Sequence, residues 1–196
     1  MASNPSPGNG VYPNGPSMRQ PSLSWMYRLE CDISKEELDL GAAHDAGTIR
    51  KISNIERGTL KGLDIEATLL PLGGADWLTV IKGTHSMTLD ARYTARTTDG
   101  HYIYFRAHGL YRPGPGTDYA TAVAQDWEQP PKAVVTQDDV EFFSHLRLEA
   151  GPGPYNWVNG LICVGVMVCE REKIWIDAYR LTNFPDRKPE SVVAKS

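Results

Sequence analysis

Four ionisable side chains in this sequence are of the types that could share one reaction: Asp76, Asp90, Arg92 and His145. Asp76 follows Gly73-Gly74-Ala75 and precedes Trp77. There an aspartate can cap a turn through local backbone hydrogen bonds, or, buried beside an indole, act as a general base with a raised pKa. Asp90 and Arg92 stand two apart, on one face of a strand. Exposed, such a pair contributes little; enclosed, it is costly to retain and marks a site. His145 shares a strand face with Phe143 and Arg147, and histidine is a side-chain type suited to proton transfer if that face is interior. Trp77, Tyr93, Tyr155, Trp157 and Asn159 are the aromatic and amide side chains that could bind a substrate beside these groups. Aromatic residues are equally ordinary core, and Asp99 in Thr98-Asp99-Gly100 is by type a turn residue.

These side chains need elements to hold them, and the pattern predicts strands. Thr88–Thr98 alternates in character, and a second alternating run spans His101–His108. Asp-Gly between two such runs predicts a two-residue hairpin turn with positive φ at both central residues. Further strands are expected at Leu23–Cys31, Thr48–Asn54, Thr59–Leu70, Trp77–Lys82, Val140–Glu149, Leu161–Cys169 and Lys173–Leu181. Ser34-Lys35-Glu36-Glu37 resembles a capping box and predicts one helical turn before Leu38 and Leu40. Residues 110–135, rich in Pro and Gly, read as a long surface connection of the kind that forms lids. Eight to ten short strands with little helix predict an all-β fold, a single closed antiparallel barrel that is lipocalin-like in shape.

On the central strand Met87, Leu89, Ala91, Tyr93 and Ala95 share one side, and Thr88, Asp90, Arg92, Thr94 and Arg96 the other. An ordinary barrel turns the apolar side inward. Leu161–Cys169 is apolar on both faces, so its second face would meet either an interior or a second copy in a homodimer.

The chain has 196 residues, enough for one domain, a net charge of −4 and three cysteines. That charge gives no basic patch for nucleic acid. No apolar run reaches the ~18 residues of a membrane span, and the amino terminus lacks the signature of a secretory signal. Cys31, Cys163 and Cys169 fall in no ligand-like spacing, so the expectation is a reduced, cytoplasmic protein without a disulfide framework or metal. His85, His101 and His108 likewise have no metal-ligand spacing. With no Rossmann glycines, P-loop or nucleophile elbow, no cofactor is expected. Residues 1–22 are expected to be disordered, residues 23–182 to form the barrel, and residues 183–196 to be a tail.

Gly73-Gly74-Ala75-Asp76-Trp77, Leu89-Asp90-Ala91-Arg92-Tyr93-Thr94, Arg96-Thr97-Thr98-Asp99-Gly100 and Tyr155-Asn156-Trp157-Val158-Asn159 occur in that order. In this the chain resembles domain of unknown function 3237, also called uncharacterised protein family 0311. The resemblance runs from about Trp25 to Leu181 and implies a compact β-barrel. Fungal relatives of the family include proteins of secondary-metabolite pathways, which implies a tailoring role. The chain departs from the family pattern at Thr98, at Glu141–His145 and in the long 110–135 segment, places where a pocket could be specialised.

Three functions compete. In the first, a cofactor-independent cyclase or isomerase folds a small apolar metabolite, a polyketide or meroterpenoid, inside the barrel. Asp76, Asp90 or His145 moves a proton, and Arg92, Tyr155 and Asn159 steady the developing charge. Trp77 and Trp157 would form water-excluding walls. The second is a lipocalin-like carrier, and the third a structural barrel with a filled core that oligomerises.

Overall fold

The computed structural model describes residues 18–42, 46–126, 134–170 and 173–191. The expected disorder of the first residues therefore lies mostly outside the described chain. Nine strands make one antiparallel sheet: β1 (Ser22–Gly41), β2 (Thr48–Gly62), β3 (Glu66–Leu69), β4 (Ala75–Ile81), β5 (Ser86–Thr97), β6 (Tyr102–Pro113), β7 (Val140–Ala150), β8 (Cys163–Glu170) and β9 (Lys173–Thr182). The sheet runs β1-β9-β8-β7-β6-β5, and β2 then pairs back with β1 to close the ring. Between β5 and β2 one position is shared by two strands in tandem, β3 beside Leu60 and β4 beside Ile52. The β7–β8 seam is short, registered only from Phe143–Val166 to Leu146–Cys163.

Alternation sorts the side chains as the two-residue strand period requires. On β7, Ser144, Leu146 and Leu148 are buried while Phe143, His145 and Arg147 are exposed. One half of the lumen is filled by Tyr27, Leu29, Leu60, Phe105, Ile103, Leu148 and Cys163, all buried. A short 3-10 helix, Asn156–Gly160, plugs that end with Val158. In the other half the wall residues leave a cavity, over which α1 (Asp118–Gln125) lies. The helix begins at Thr117, whose hydroxyl accepts from the Ala120 amide at 3.1 Å, and it buries Tyr119 and Val123, four residues apart on one face. These two join Tyr111 and Val140 in a small cluster of their own at the mouth.

Three expectations are corrected. Residues 34–40 continue β1 as strand: the Ser34 hydroxyl accepts the Glu36 amide at 3.2 Å, but Leu38 and Asp39 pair with Ile52 and Lys51. A lone helical turn has no cooperative gain to set against a ready strand partner. The segment after residue 110 is strand to Pro113 and then helix α1, with residues 127–133 outside the described chain. The β5–β6 turn is a three-residue loop closed by the Thr97–His101 pair, with positive φ at Gly100 (93°) and not at Asp99. Gly at the left-handed position of such a loop serves the strand twist as well as an Asp-Gly two-residue turn.

Residues 183–191 run back across the plugged end. The buried Arg180 guanidinium donates to the carbonyls of Phe184, at 3.4 Å, and Pro185, at 3.2 Å, and also to that of Arg187. The Ser191 hydroxyl donates to Asn156 Oδ1 at 2.7 Å. Ending the chain at Thr182 strands the guanidinium without these acceptors, a loss of about 1–3 kcal/mol. Chemical denaturation of the truncated protein should show that loss, and Arg180→Met in the truncated background should recover part of it; unchanged stability on truncation would mean the guanidinium finds other acceptors.

Candidate functional site

The lumen cavity encloses about 340 Å³. Its walls come from the later part of β1 (Cys31, Ile33, Glu37), the early part of β2 (Ser53, Ile55), β4 (Asp76, Leu78) and the early part of β5 (Met87, Leu89, Ala91, Tyr93). Beyond these, Tyr111, Phe142, Met167 and Ile176 continue the apolar lining, and Tyr119 of α1 closes it from above. A volume at the lower end of the range for ligand pockets, apolar walls and a few inward polar residues are the features of a small-molecule pocket.

Asp76 is the carboxyl group set deepest in it. It registers with Ser53 on β2 and Ala91 on β5, so its side chain points to the lumen with Leu78 while Trp77 points out. The β4–β5 ladder registers Asp76 with Ala91 and resumes at Thr79 with Thr88; in that gap the Asp90 amide donates to Asp76 Oδ1 at 3.0 Å. The carboxyl group therefore stands in for a strand carbonyl and is held rigidly. Gly74 permits this approach, since a Cβ there would lie 2.1 Å from the Arg92 carbonyl oxygen. Burial pushes Asp76 up to about 6; the Asp90 amide opposes the shift and the Asp90 charge adds to it.

Two lining residues carry buried hydroxyls without a hydrogen-bond partner: Tyr93 Oη and Ser144 Oγ. Tyr93 stacks on Phe105 with ring centroids 5.0 Å apart, which fixes its direction. Burial, then the charges of Cys31 and Asp76, raise its pKa, so it stays a phenol and a donor. Room for Ser144 Oγ is made by Gly165 across the β7–β8 seam, where a Cβ would lie 2.6 Å from that oxygen. Near the mouth, the Tyr111 and Tyr119 hydroxyls are 2.9 Å apart, and the His85 ring packs edge-on to both. Glu37, also at the mouth, accepts from Lys51 at 2.8 Å and from Ser53 at 3.3 Å.

The expected site residues separate into three places. Asp76 and Tyr93 line the lumen. Asp90, Arg92 and His145 do not: the polar face of β5 points outward, and so does His145 on β7. Asp90 and Arg92 pair at 2.9 Å on the outer wall, where Asp90 also meets Arg106 and His108 at 3.5 Å. Burial alone would raise the Asp90 carboxyl, but the Arg92 hydrogen bond and the charges of His108, Arg92 and Arg106 hold it below the usual carboxylate range. Trp77 lies under the Arg92 guanidinium, 5.7 Å from its ring, and with Asp90 and His145 borders an open outer groove of about 760 Å³. That groove is a surface depression on the outer wall, whereas Asp76, Tyr93 and Ser144 line the lumen. Tyr155, Trp157 and Asn159 belong to the plugged end. The Tyr155 hydroxyl donates to Asp99 Oδ1 at 3.1 Å, Trp157 packs on the core, and Asn159 clamps the Ala150 amide (3.0 Å) and carbonyl (2.8 Å). These three hold the fold and are remote from the cavity lining.

Ser144, Glu37, His85, Tyr111 and Tyr119 were missed as lining. The lone serine between Phe142, Leu146 and Leu148 on the inward face of β7 was a readable signal. The others depend on the mouth geometry, which α1 creates. Among the described residues no group of His, Cys, Asp and Glu could hold a metal, and no helix is long and apolar enough to cross a membrane.

This closed antiparallel ring with a polar-studded lumen belongs to a class of small β-barrel proteins. Residues 21–181 match the family described as protein of unknown function DUF3237, and the chain belongs to that family. A UPF0311 protein of Rhodopseudomonas palustris is 28% identical over 144 residues, 73% of this chain and 88% of the relative. A solved β-barrel-like protein from Acinetobacter baumannii aligns with a TM-score of 0.71 at 26% identity, over 85% of this chain and 99% of that one. More distant is a structure described as an enzyme from Penicillium herquei, with a TM-score of 0.58 at 14% identity over 85% of this chain and 98% of that one.

Raising the Asp76 pKa from 3.8 in the unfolded chain to about 6 means that the folded state holds its proton more tightly. The unfolded chain then loses its proton first, so stability falls as pH rises from about 4 to about 6, by on the order of 2–3 kcal/mol. Asp76→Asn should accordingly be more stable than wild type at pH 7 by a similar margin, with the difference vanishing below pH about 4. Paired urea titrations across that range test it; equal stability at pH 7 would place Asp76 in water.

Proposed function

We propose that this protein is a cofactor-independent isomerase or cyclase that moves a proton on a small, largely apolar secondary metabolite held in the barrel lumen. The polyketide or meroterpenoid class inferred from the family resemblance is compatible with the apolar walls. The observation that carries the reading is Asp76: a carboxyl group fixed by a backbone amide, half-buried on the wall of an apolar cavity, with its pKa raised to about 6. A base poised near the working pH combines the right protonation state with useful basicity. The unpartnered hydroxyls of Tyr93 and Ser144 are suited to donate to a carbonyl oxygen as it gains enolate character. In this scheme they take the role first given to Arg92, Tyr155 and Asn159. Enclosure under α1 would hold the substrate folded and exclude water from the enolate. The description of the Penicillium herquei relative as an enzyme is consistent with catalysis on this fold.

Proton transfer at carbon leaves a mark that does not require knowing the product. Candidate enones and cyclic ketones incubated with the protein in D2O should gain deuterium at the α-carbon. Asp76→Asn should slow that exchange by about 10²–10⁴-fold, whereas Asp90→Asn and His145→Ala should leave it within about 3-fold of wild type. Ligands that bind in the lumen and never exchange or change would make the protein a carrier and end the enzyme reading.

A further inference from the structure

The charges on the cavity wall are one-sided. Among its described lining residues the ionisable side chains other than tyrosine and cysteine are Glu37, Asp76 and His85, and none is a lysine or arginine. Glu37 is answered at the mouth by Lys51. Asp76 is answered by no cation: Oδ1 takes the Asp90 amide, and among the described residues Oδ2 has no donor. Buried carboxylates are as a rule paired with a cation or bound to a metal, because an isolated one is costly. Among the described residues no lysine or arginine takes that place. Four aromatic rings, Tyr93, Tyr111, Tyr119 and Phe142, border the same space, and aromatic faces attract cations.

We infer that the lumen selects ligands carrying a protonated nitrogen, with the cation set against Asp76 and an apolar body filling the rest of the cavity. This rests on the reading of the lumen as the substrate site and narrows its substrate class to nitrogen-containing metabolites. A cationic nitrogen suits proton transfer as well, since it acidifies the carbon next to it within reach of the carboxylate it pairs with. At roughly 30 Å³ per non-hydrogen atom the volume takes a ligand of about a dozen such atoms. Around Asp76 stand the Asp90 amide from β5, Ser53 registered with it on β2, and Tyr93 and Cys31, which its charge reaches; Glu37 and His85 line the same cavity toward the mouth. Burial, followed by the Asp32 charge, pushes the Cys31 thiol up to about 12, and Tyr93 is likewise raised, so neither gains charge near neutrality.

Tryptamine, tryptophol and indole-3-propionate share one body and differ in charge. Calorimetric titration near pH 8 should give tryptamine at least about ten-fold tighter binding than tryptophol, with no binding of the propionate. The amine stays protonated down to pH 5, so its advantage should shrink there as Asp76 takes up a proton. This wild-type pH comparison stands even if substitution disturbs folding. Asp76→Asn should bind the amine and the alcohol alike. Tryptophol binding as tightly as tryptamine, an amine preference that survives in Asp76→Asn, or no tryptamine binding at all would each overturn the inference. If neutral ketones still exchange deuterium through Asp76 while amines show no preference, only this inference falls. If amines are preferred but nothing exchanges, the proposed reaction falls and the cation site stands.

Discussion

The register between β4 and β5 decides what this barrel contains. In a closed sheet each residue faces in or out by parity, and a one-residue slip exchanges the two sets. Pairing Asp76 with Ala91 puts Asp76 inside with Leu89, Ala91 and Tyr93, and sends Trp77, Asp90 and Arg92 outside. The same pairing presents the Asp90 amide to the Asp76 carboxyl group. One strand pair thus fixes a carboxylate that would otherwise be free to turn toward water. The opposite register would turn Asp90, Arg92 and Arg96 inward and expose Met87 and Tyr93, an arrangement too costly to compete.

The cavity follows from where bulk is spent along the strands. Toward the plugged end the inward positions carry Tyr27, Leu29, Phe105, Ile103 and Leu148, all buried in the main core. Toward the mouth they include Ala91, Ala107, Gly109 and Ser144, and the lumen is left unfilled. The 3-10 plug and the 183–191 strap then close only one end. At the other, α1 is attached through its own cluster of Tyr119, Val123, Tyr111 and Val140, separate from the main core. A roof held by a small cluster can open without loosening the walls, because cooperative units with few buried apolar contacts open at lower free energy.

Most of the fold was legible because strand alternation and turn chemistry are local. The β5–β6 hairpin, the strand at Val140 and the final strand at Lys173 all follow from period-two patterns. What misled was local signal with a tertiary answer: the Ser34–Glu37 box, whose cap bond forms within a strand, and the 110–135 segment, whose helix is seated by residues far away in sequence. At the site, Asp76 and Tyr93 were readable, the first from its glycine and tryptophan neighbours and the second from parity with Met87 and Leu89. Asp90, Arg92 and His145 drew notice because ionisable groups dominate a sequence reading, but parity alone sends them to the outer wall. Tyr155–Asn159 could not be judged from type, since an asparagine that clamps Ala150 looks the same in sequence as one that binds a ligand.

A carboxylate whose raised pKa is expected to cost stability at neutral pH, and whose second oxygen has no donor among the described residues, is difficult to explain as structure. An asparagine could accept the Asp90 amide equally well without the cost of an ionised group in a poorly solvated space. The Arg92–Asp90 pair, by contrast, sits where water screens it and carries little either way. The asymmetry between these two aspartates, fourteen positions apart and joined through one amide, locates the strain of the molecule at Asp76. Stability given up at one half-buried group, inside a barrel otherwise consistent with its pattern, is the kind of local conflict that a binding or catalytic demand on Asp76 would account for.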